Sequence, residues 1–199
     1  MDNFMDGVRE DFGKQVEEWN KKAKSWEEKI DKLYKYGDND LKRVTVFADS
    51  IIENDKSLDK WKISNLNTIV GEILFDSDSL ELAMERFKLS ELSTPDSPRN
   101  QANKAGYFVK KGNYQKAMSL LQKASETNSD FKWLIGNLYE VQGKPEKAVL
   151  EYEFVYNKGQ RTYDYCGKRI AELKDPNVEL FKELKFLNRR ERLIIFMGQ

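Results

Sequence analysis

Cys166 is the one conventional nucleophile in this chain beyond its hydroxyls, and no histidine occurs anywhere in the 199 residues to activate it. Without imidazole, Ser-His-Asp and Cys-His relays, imidazole metal sites and the most common general base are absent. A lone cysteine closes no internal disulfide and builds no metal site. Two Gly-Lys pairs, Gly143-Lys144 and Gly167-Lys168, raise a phosphate-loop reading. That loop needs a glycine five residues upstream of the second glycine and Ser or Thr after the lysine. Here Leu138 and Thr162 hold the upstream slots, and Pro145 and Arg169 follow the lysines, so both pairs fail. Carboxylates are plentiful but interleave with lysines at helical spacing, and no acid/base pair of the glycosidase kind stands out. The expectation is a non-enzymatic chain with no cofactor and no metal.

Composition points to helices. Hydrophobic residues make up 39% and charged residues 34%, with only 11 Gly and 4 Pro, and Leu, Lys, Glu and Ala dominate. That is helix-former bias on an unusually polar chain, suited to an extended helical surface. The 34 basic and 34 acidic residues cancel and are intermixed, which gives no field for nucleic acid or an anionic membrane. No apolar run approaches the ~18 residues that span a bilayer. The segment "MDNFMDGVRED" is acidic and lacks the apolar core of a signal peptide. One unpaired cysteine suits a reducing compartment such as the cytoplasm, while a chain trimmed of a leader would read the same.

Residues 4–36 read as one long helix. Phe12, Val16, Trp19, Ala23, Trp26, Ile30 and Leu33 alternate four and three residues apart, a heptad stripe for a neighbouring helix. Two uses fit it: an antiparallel hairpin packed on the rest of the chain, or a coiled-coil dimer seam through residues 4–36. "YGDND" stops the helix, and Asp38 or Asn39 is expected to cap the next, roughly 40–54, whose inner face is Leu41, Val44, Phe47, Ala48 and Ile51. A helix then runs to about Phe75, breaks at "DSDS" and resumes from about Leu80 to Leu92. "STPDSP" ends it at Pro95 and Pro98. Further helices are expected at about 99–111, 114–127, 131–142, 145–157, 161–174 and 177–187, with a last one near 189–197. No segment alternates with period two, so the fold class is all-α. The division expected is a hairpin over residues 1–57 and an array over 58–199.

Within the array the small residues keep register. Gly71, Ala105, Gly136 and Gly167 sit midway along first helices, spaced 34, 31 and 31 apart. Ala83, Ala117 and Ala148 follow the first three by twelve, and Phe87, Leu121 and Tyr152 come four later. Leu74, Phe108, Tyr139 and Ile170 stand three after each small residue. Helices approach closely only where side chains are small, so Gly or Ala marks the crossing and the large residue fills the gap beside it. Gly112 and Gly143 supply the left-handed ends that tight turns need. One such pair cannot bury its own face, so neighbours must stack.

At these residues the chain resembles the tetratricopeptide repeat family. "GYFVKKGNYQKAMSLLQKASE" (106–126) and "WLIGNLYEVQGKPEKAVLEYEFVY" (133–156) carry the family's order of small, large, Gly, Ala and aromatic, with Leu121 in the aromatic slot of the first. "GEILFDSDSLELAMERFKLSELSTP" (71–95) carries it with Asp78 at the turn glycine and Pro95 where the family often has proline. "YDYCGKRIAELKDP" (163–176) matches only in its first helix, Lys174 and Glu179 replacing Gly and Ala. The resemblance covers about residues 60–187, and its 31-residue spacings are shorter than the usual 34.

The resemblance implies a right-handed α-α superhelix and a protein-binding scaffold or adaptor, with first helices lining a concave groove for a peptide or partner helix. Carried over position by position, the groove residues are Arg99, Ala102, Gly106, Val109 and Lys110; then Asp130, Trp133, Asn137 and Glu140; then Arg161, Asp164 and Lys168. Trp133 is either an exposed anchor flanked by Arg and Lys or, with a shifted register, buried between pairs. Ala102 and Gly106 replace the Lys and Asn of the family's carboxylate clamp, so that clamp is not expected. The same pattern puts Cys166 inside a pair, where a free thiol behaves as a small hydrophobe. The run Leu193–Met197 in "NRRERLIIFMGQ" either caps the last repeat or docks on another subunit. A structural subunit of a larger assembly, held by the N-terminal helix and this run, is the alternative function.

Overall fold

The structure is a computed structural model that describes residues 24–38, 40–159 and 162–184. Every regular element among the described residues is helical. Helix α1 covers residues 24–37. It is followed by α2 (Leu41–Asn54), α3 (Lys60–Asp76), α4 (Leu80–Ser93), α5 (Pro98–Lys110), α6 (Tyr114–Thr127), α7 (Lys132–Val141), α8 (Pro145–Asn157) and α9 (Tyr163–Glu172). The long first helix expected over 4–36 is seen only from residue 24, and its earlier residues lie outside the described ones.

Starts and stops follow local chemistry. Asp59 accepts from the Lys62 amide at 2.8 Å and Asn113 from the Lys116 amide at 3.1 Å, each satisfying a first-turn donor. The cap of α2 is Asp40, accepting from the Arg43 amide at 3.0 Å, and neither Asp38 nor Asn39 as the sequence suggested. Three helix–helix turns share one geometry. Gly112 and Gly143 adopt φ of +73° and +69°, and Asp78, the residue in place of glycine, adopts +59°. The amide after each donates five residues back: Ser79 to the Leu74 carbonyl, Asn113 to Phe108 and Lys144 to Tyr139, at 2.9, 2.8 and 2.9 Å. That pattern is the Schellman end, which satisfies the last carbonyls of the helix.

Two expected elements differ. The 131–142 helix opens as a 3-10 turn, Ser129–Phe131, before α7. No helix covers 177–184: the Val178 amide closes a turn on the Asp175 carbonyl at 3.1 Å and the chain then runs irregularly. Pro176 would itself be tolerated at a helix start, as Pro98 and Pro145 are in α5 and α8; residues 179–184 are instead engaged by Arg169, Lys110 and the α5–α9 apolar cluster. The rest of that helix and the one near 189–197 lie outside the described residues.

Helices α3 and α4, α5 and α6, and α7 and α8 form successive pairs, and α4 meets α5, α6 meets α7 and α8 meets α9. At the crossings a Cβ added to Gly136 would lie 2.5 Å from Cε1 of Tyr152, and one added to Gly71 would collide with the Phe87 ring. Both large residues come sixteen positions after the glycine, and Ala105 and Leu121, at the same offset, are fully buried. Gly167 differs: its contact is Tyr156 of the preceding α8, so α9 packs backward and lacks a second helix of its own among the described residues. One apolar cluster joins Ile30, Leu33, Val44, Ala48 and Ile51 to α3 and α4; another runs from α5 to α9 and takes in Leu184.

Candidate partner-binding face

Like ends of the first helices meet. Lys110, the last residue of α5, lies 3.0 Å from Asp78 and 5.2 Å from the Phe75 ring centroid, at the C-terminal end of α3. At the other end a cavity of about 250 Å³ is lined by Trp61 and Asn65 of α3, Arg99 of α5 and Phe131 just before α7. Helices α3 and α5 therefore run parallel, with Phe131 just before α7 reaching the same cavity.

The polar wiring of this face is mostly spent on holding neighbours together. Arg99 Nε and Nη2 donate to Glu72 at 2.8 and 2.7 Å, and Asn103 Nδ2 adds 2.7 Å to the same carboxylate. Burial works against the Arg99 charge, yet the Glu72 carboxylate wins and holds the guanidinium above its ordinary pKa. In the third pair Glu140, 1% exposed, accepts from the Tyr152 hydroxyl at 2.6 Å and from Arg169 Nε at 3.0 Å. Asn137 Nδ2 lies 2.8 Å from the Tyr152 hydroxyl and 3.2 Å from that of Tyr165. Burial raises both tyrosines, Tyr165 to about 12 and Tyr152 further, so the hydroxyls stay protonated donors. The Glu140 hydrogen bonds are the main reason Arg169 is raised. A buried pair like this is a weak source of net stability, but removing one partner strands a charge; its role here is to fix how α9 sits on α7.

Several expected groove residues are therefore interior. Trp133 is 6% exposed and packs edge-on against Tyr165, centroids 5.1 Å apart, so it is a core residue and no surface anchor. The Gly136–Tyr152 crossing turns that side of α7 inward. Asn137 and Glu140 are likewise buried, as are Ala102, Gly106, Val109 and Asp130, and Arg99 is bound to Glu72. Lys110, Asp164 and Lys168 remain at the surface, and the last two line a cavity of about 490 Å³ between α8 and α9. Arg161 lies outside the described residues.

What the sequence reading passed over is Trp61, 56% exposed at the mouth of the α3–α5 cavity. Behind it the hydroxyls of Ser64, Thr68 and Ser90 are joined at 2.8 Å, with Thr94 bonded to Ser64. Its signal was available: Trp61 stands one turn from the hydroxyl-bearing side of α3, away from the leucine and isoleucine face. Asn65 Oδ1 accepts from Arg99 Nη1 at 3.3 Å, and both residues line the cavity. This arrangement offers an aromatic plate beside a polar floor. It offers no nucleophile with a base, and among the described residues no group of three or more acidic or thiol side chains is placed to hold a metal ion. Among those residues, no helix is long and apolar enough to cross a membrane.

Compared with models of known protein families and with curated proteins, the chain matches none.

Proposed function

We propose that this chain is a tetratricopeptide-like scaffold, a right-handed array of helical pairs that binds a segment of a partner protein on its first-helix face without catalysing a reaction. One observation carries the reading. Three turns with the same Schellman bonds and left-handed residue, at Asp78, Gly112 and Gly143, each join the two helices of a pair, and the small and large crossing residues of the three pairs recur at one offset. Such regularity is what a stacked repeat requires, and the face it leaves open is where repeat arrays bind. Within that face Trp61 is the anchor, because an exposed tryptophan at the lip of a cavity gives up much apolar area on contact.

The test is affinity capture with the intact chain as bait, comparing wild type with Trp61→Ala. The anchor reading expects the specific partner to be lost or weakened by about tenfold or more, the range of an interface hot spot. Retention of every partner at wild-type level would refute it. A second reading, a structural subunit of a larger assembly, is favoured by Leu82, Leu89 and Leu92, which stand 54%, 45% and 80% exposed along one side of α4.

A further inference from the structure

After α9 the chain turns back along the array. Arg169 Nη2 donates to the backbone carbonyl of Glu179 at 2.9 Å, and the Arg169 guanidinium sits 4.1 Å from the Phe181 ring centroid. Glu183 reaches to 3.8 Å from Lys110 Nζ, at the C-terminal end of α5. Leu184 is 6% exposed and belongs to the apolar cluster built by α5 to α9. The segment thus passes from α9 to α5, opposite to the order of the chain, over the ends of the first helices remote from Trp61.

We propose that residues 179–184 are an internal ligand: they occupy in cis the part of the first-helix face that receives the partner, which is an extended segment of the form aromatic–any–acidic–aliphatic. This rests on the scaffold reading. The contacts have the chemistry of peptide recognition. Arg169 reads a backbone carbonyl, which any sequence supplies, and lies over an aromatic ring as cations favour. Lys110 answers the acidic side chain, and the apolar cluster takes the leucine. Between them Lys182 points to solvent, the position that carries no specificity.

The strap is built to be displaced. It has no helix or ladder of its own, so a few side-chain contacts hold it, and such segments open at low cost. Its covalent tether gives it an effective concentration that a free segment must exceed, in the millimolar range for a short linker. A partner bearing the same spacing with better contacts displaces it; one that uses only the Trp61 cavity leaves it in place. Those two sites lie at opposite ends of the same helices, so a partner long enough to reach both would bind at Trp61 first and release the strap second.

The probe is a fluorescein-labelled peptide of residues 178–186, VELFKELKF, titrated by anisotropy against the full chain. Wild type is expected to bind it weakly, and Leu184→Ser to bind it about tenfold tighter or more because the cis competitor has lost its buried side chain. Glu183→Lys, which places a second cation beside Lys110 without touching the core, is expected to shift affinity the same way and covers the case in which Leu184→Ser does not fold. Equal affinity for wild type and both folded variants would overturn the proposal, as would equal binding of a control peptide with serine at the Phe181 and Leu184 positions. The scaffold reading answers to Trp61→Ala alone, so loss of the strap result with retained Trp61 dependence discards only the strap.

Discussion

Replacing Gly136 by alanine tests the packing on which everything above depends. The new Cβ would lie 2.5, 2.8 and 2.9 Å from Cε1, Cδ1 and Cζ of Tyr152, where carbon atoms settle near 3.5–4.0 Å. The ring cannot swing aside cheaply, because its hydroxyl is fixed at 2.6 Å from Glu140 and 2.8 Å from Asn137. Overpacking of this kind costs about 1–3 kcal/mol, and loosening a hydroxyl bond to a carboxylate costs about 1.5–3 kcal/mol more if it breaks. Opposing both is helix propensity, which favours alanine over glycine by about 1 kcal/mol. The net expectation is a loss of about 1–3 kcal/mol, read as a lower midpoint in urea with unchanged slope, and as a melting temperature lower by about 2–4 °C per kcal/mol. A companion variant sharpens the test: Gly136→Ala with Tyr152→Leu rebuilds the Ala105/Leu121 pairing of the preceding repeat. The two changes should couple favourably, by about 0.5–3 kcal/mol relative to the sum of the singles. A Gly136→Ala chain as stable as wild type or more so would refute the close crossing, and with it the stacked-pair reasoning.

Two further outcomes follow from titrating groups. The Lys29 ammonium, 2.7 Å from Asp55, is the main cause that holds the Asp55 carboxyl well below the usual range, with Ser57 adding to it. A carboxyl depressed on folding stabilises above its unfolded pKa and loses that contribution as pH falls through the acid range; the melting-temperature gap between wild type and Lys29→Met should be present at pH 6 and shrink toward pH 2, and a gap constant with pH would contradict the pairing. Burial pushes the Cys166 thiol up from 9.0 to about 12, with Thr162 opposing. Native protein at pH 8 should then react with a disulfide reagent about a thousandfold more slowly than after unfolding in urea, since the thiolate is the nucleophile; equal rates in the two states would refute its burial.

Helices α2 to α9 and the turns between them were largely legible in the sequence. Gly112 and Gly143 demanded left-handed ends, the small residues at 71, 105 and 136 demanded close crossings, and proline and acidic caps set the boundaries, because each of these is a property of a few neighbouring residues. Cys166 beside Gly167 was legible as interior for the same reason. Which side of a first helix faces out was decided by tertiary structure. Position in the repeat put Asn137 and Glu140 on the open face and left Trp133 either there or buried between pairs; Tyr152, Tyr165 and Arg169 arrive from twelve to thirty-two residues away and enclose all three. Trp61 stays 56% exposed, which nothing in its own helix pattern decides. The fold-back of residues 178–184 was likewise invisible: Lys and Glu at helical spacing read as one more helix, whereas contacts to Arg169 and Lys110 hold the segment in an irregular path. Local geometry is written in adjacent residues. Exposure depends on which distant side chains arrive, and only the packed chain brings them together.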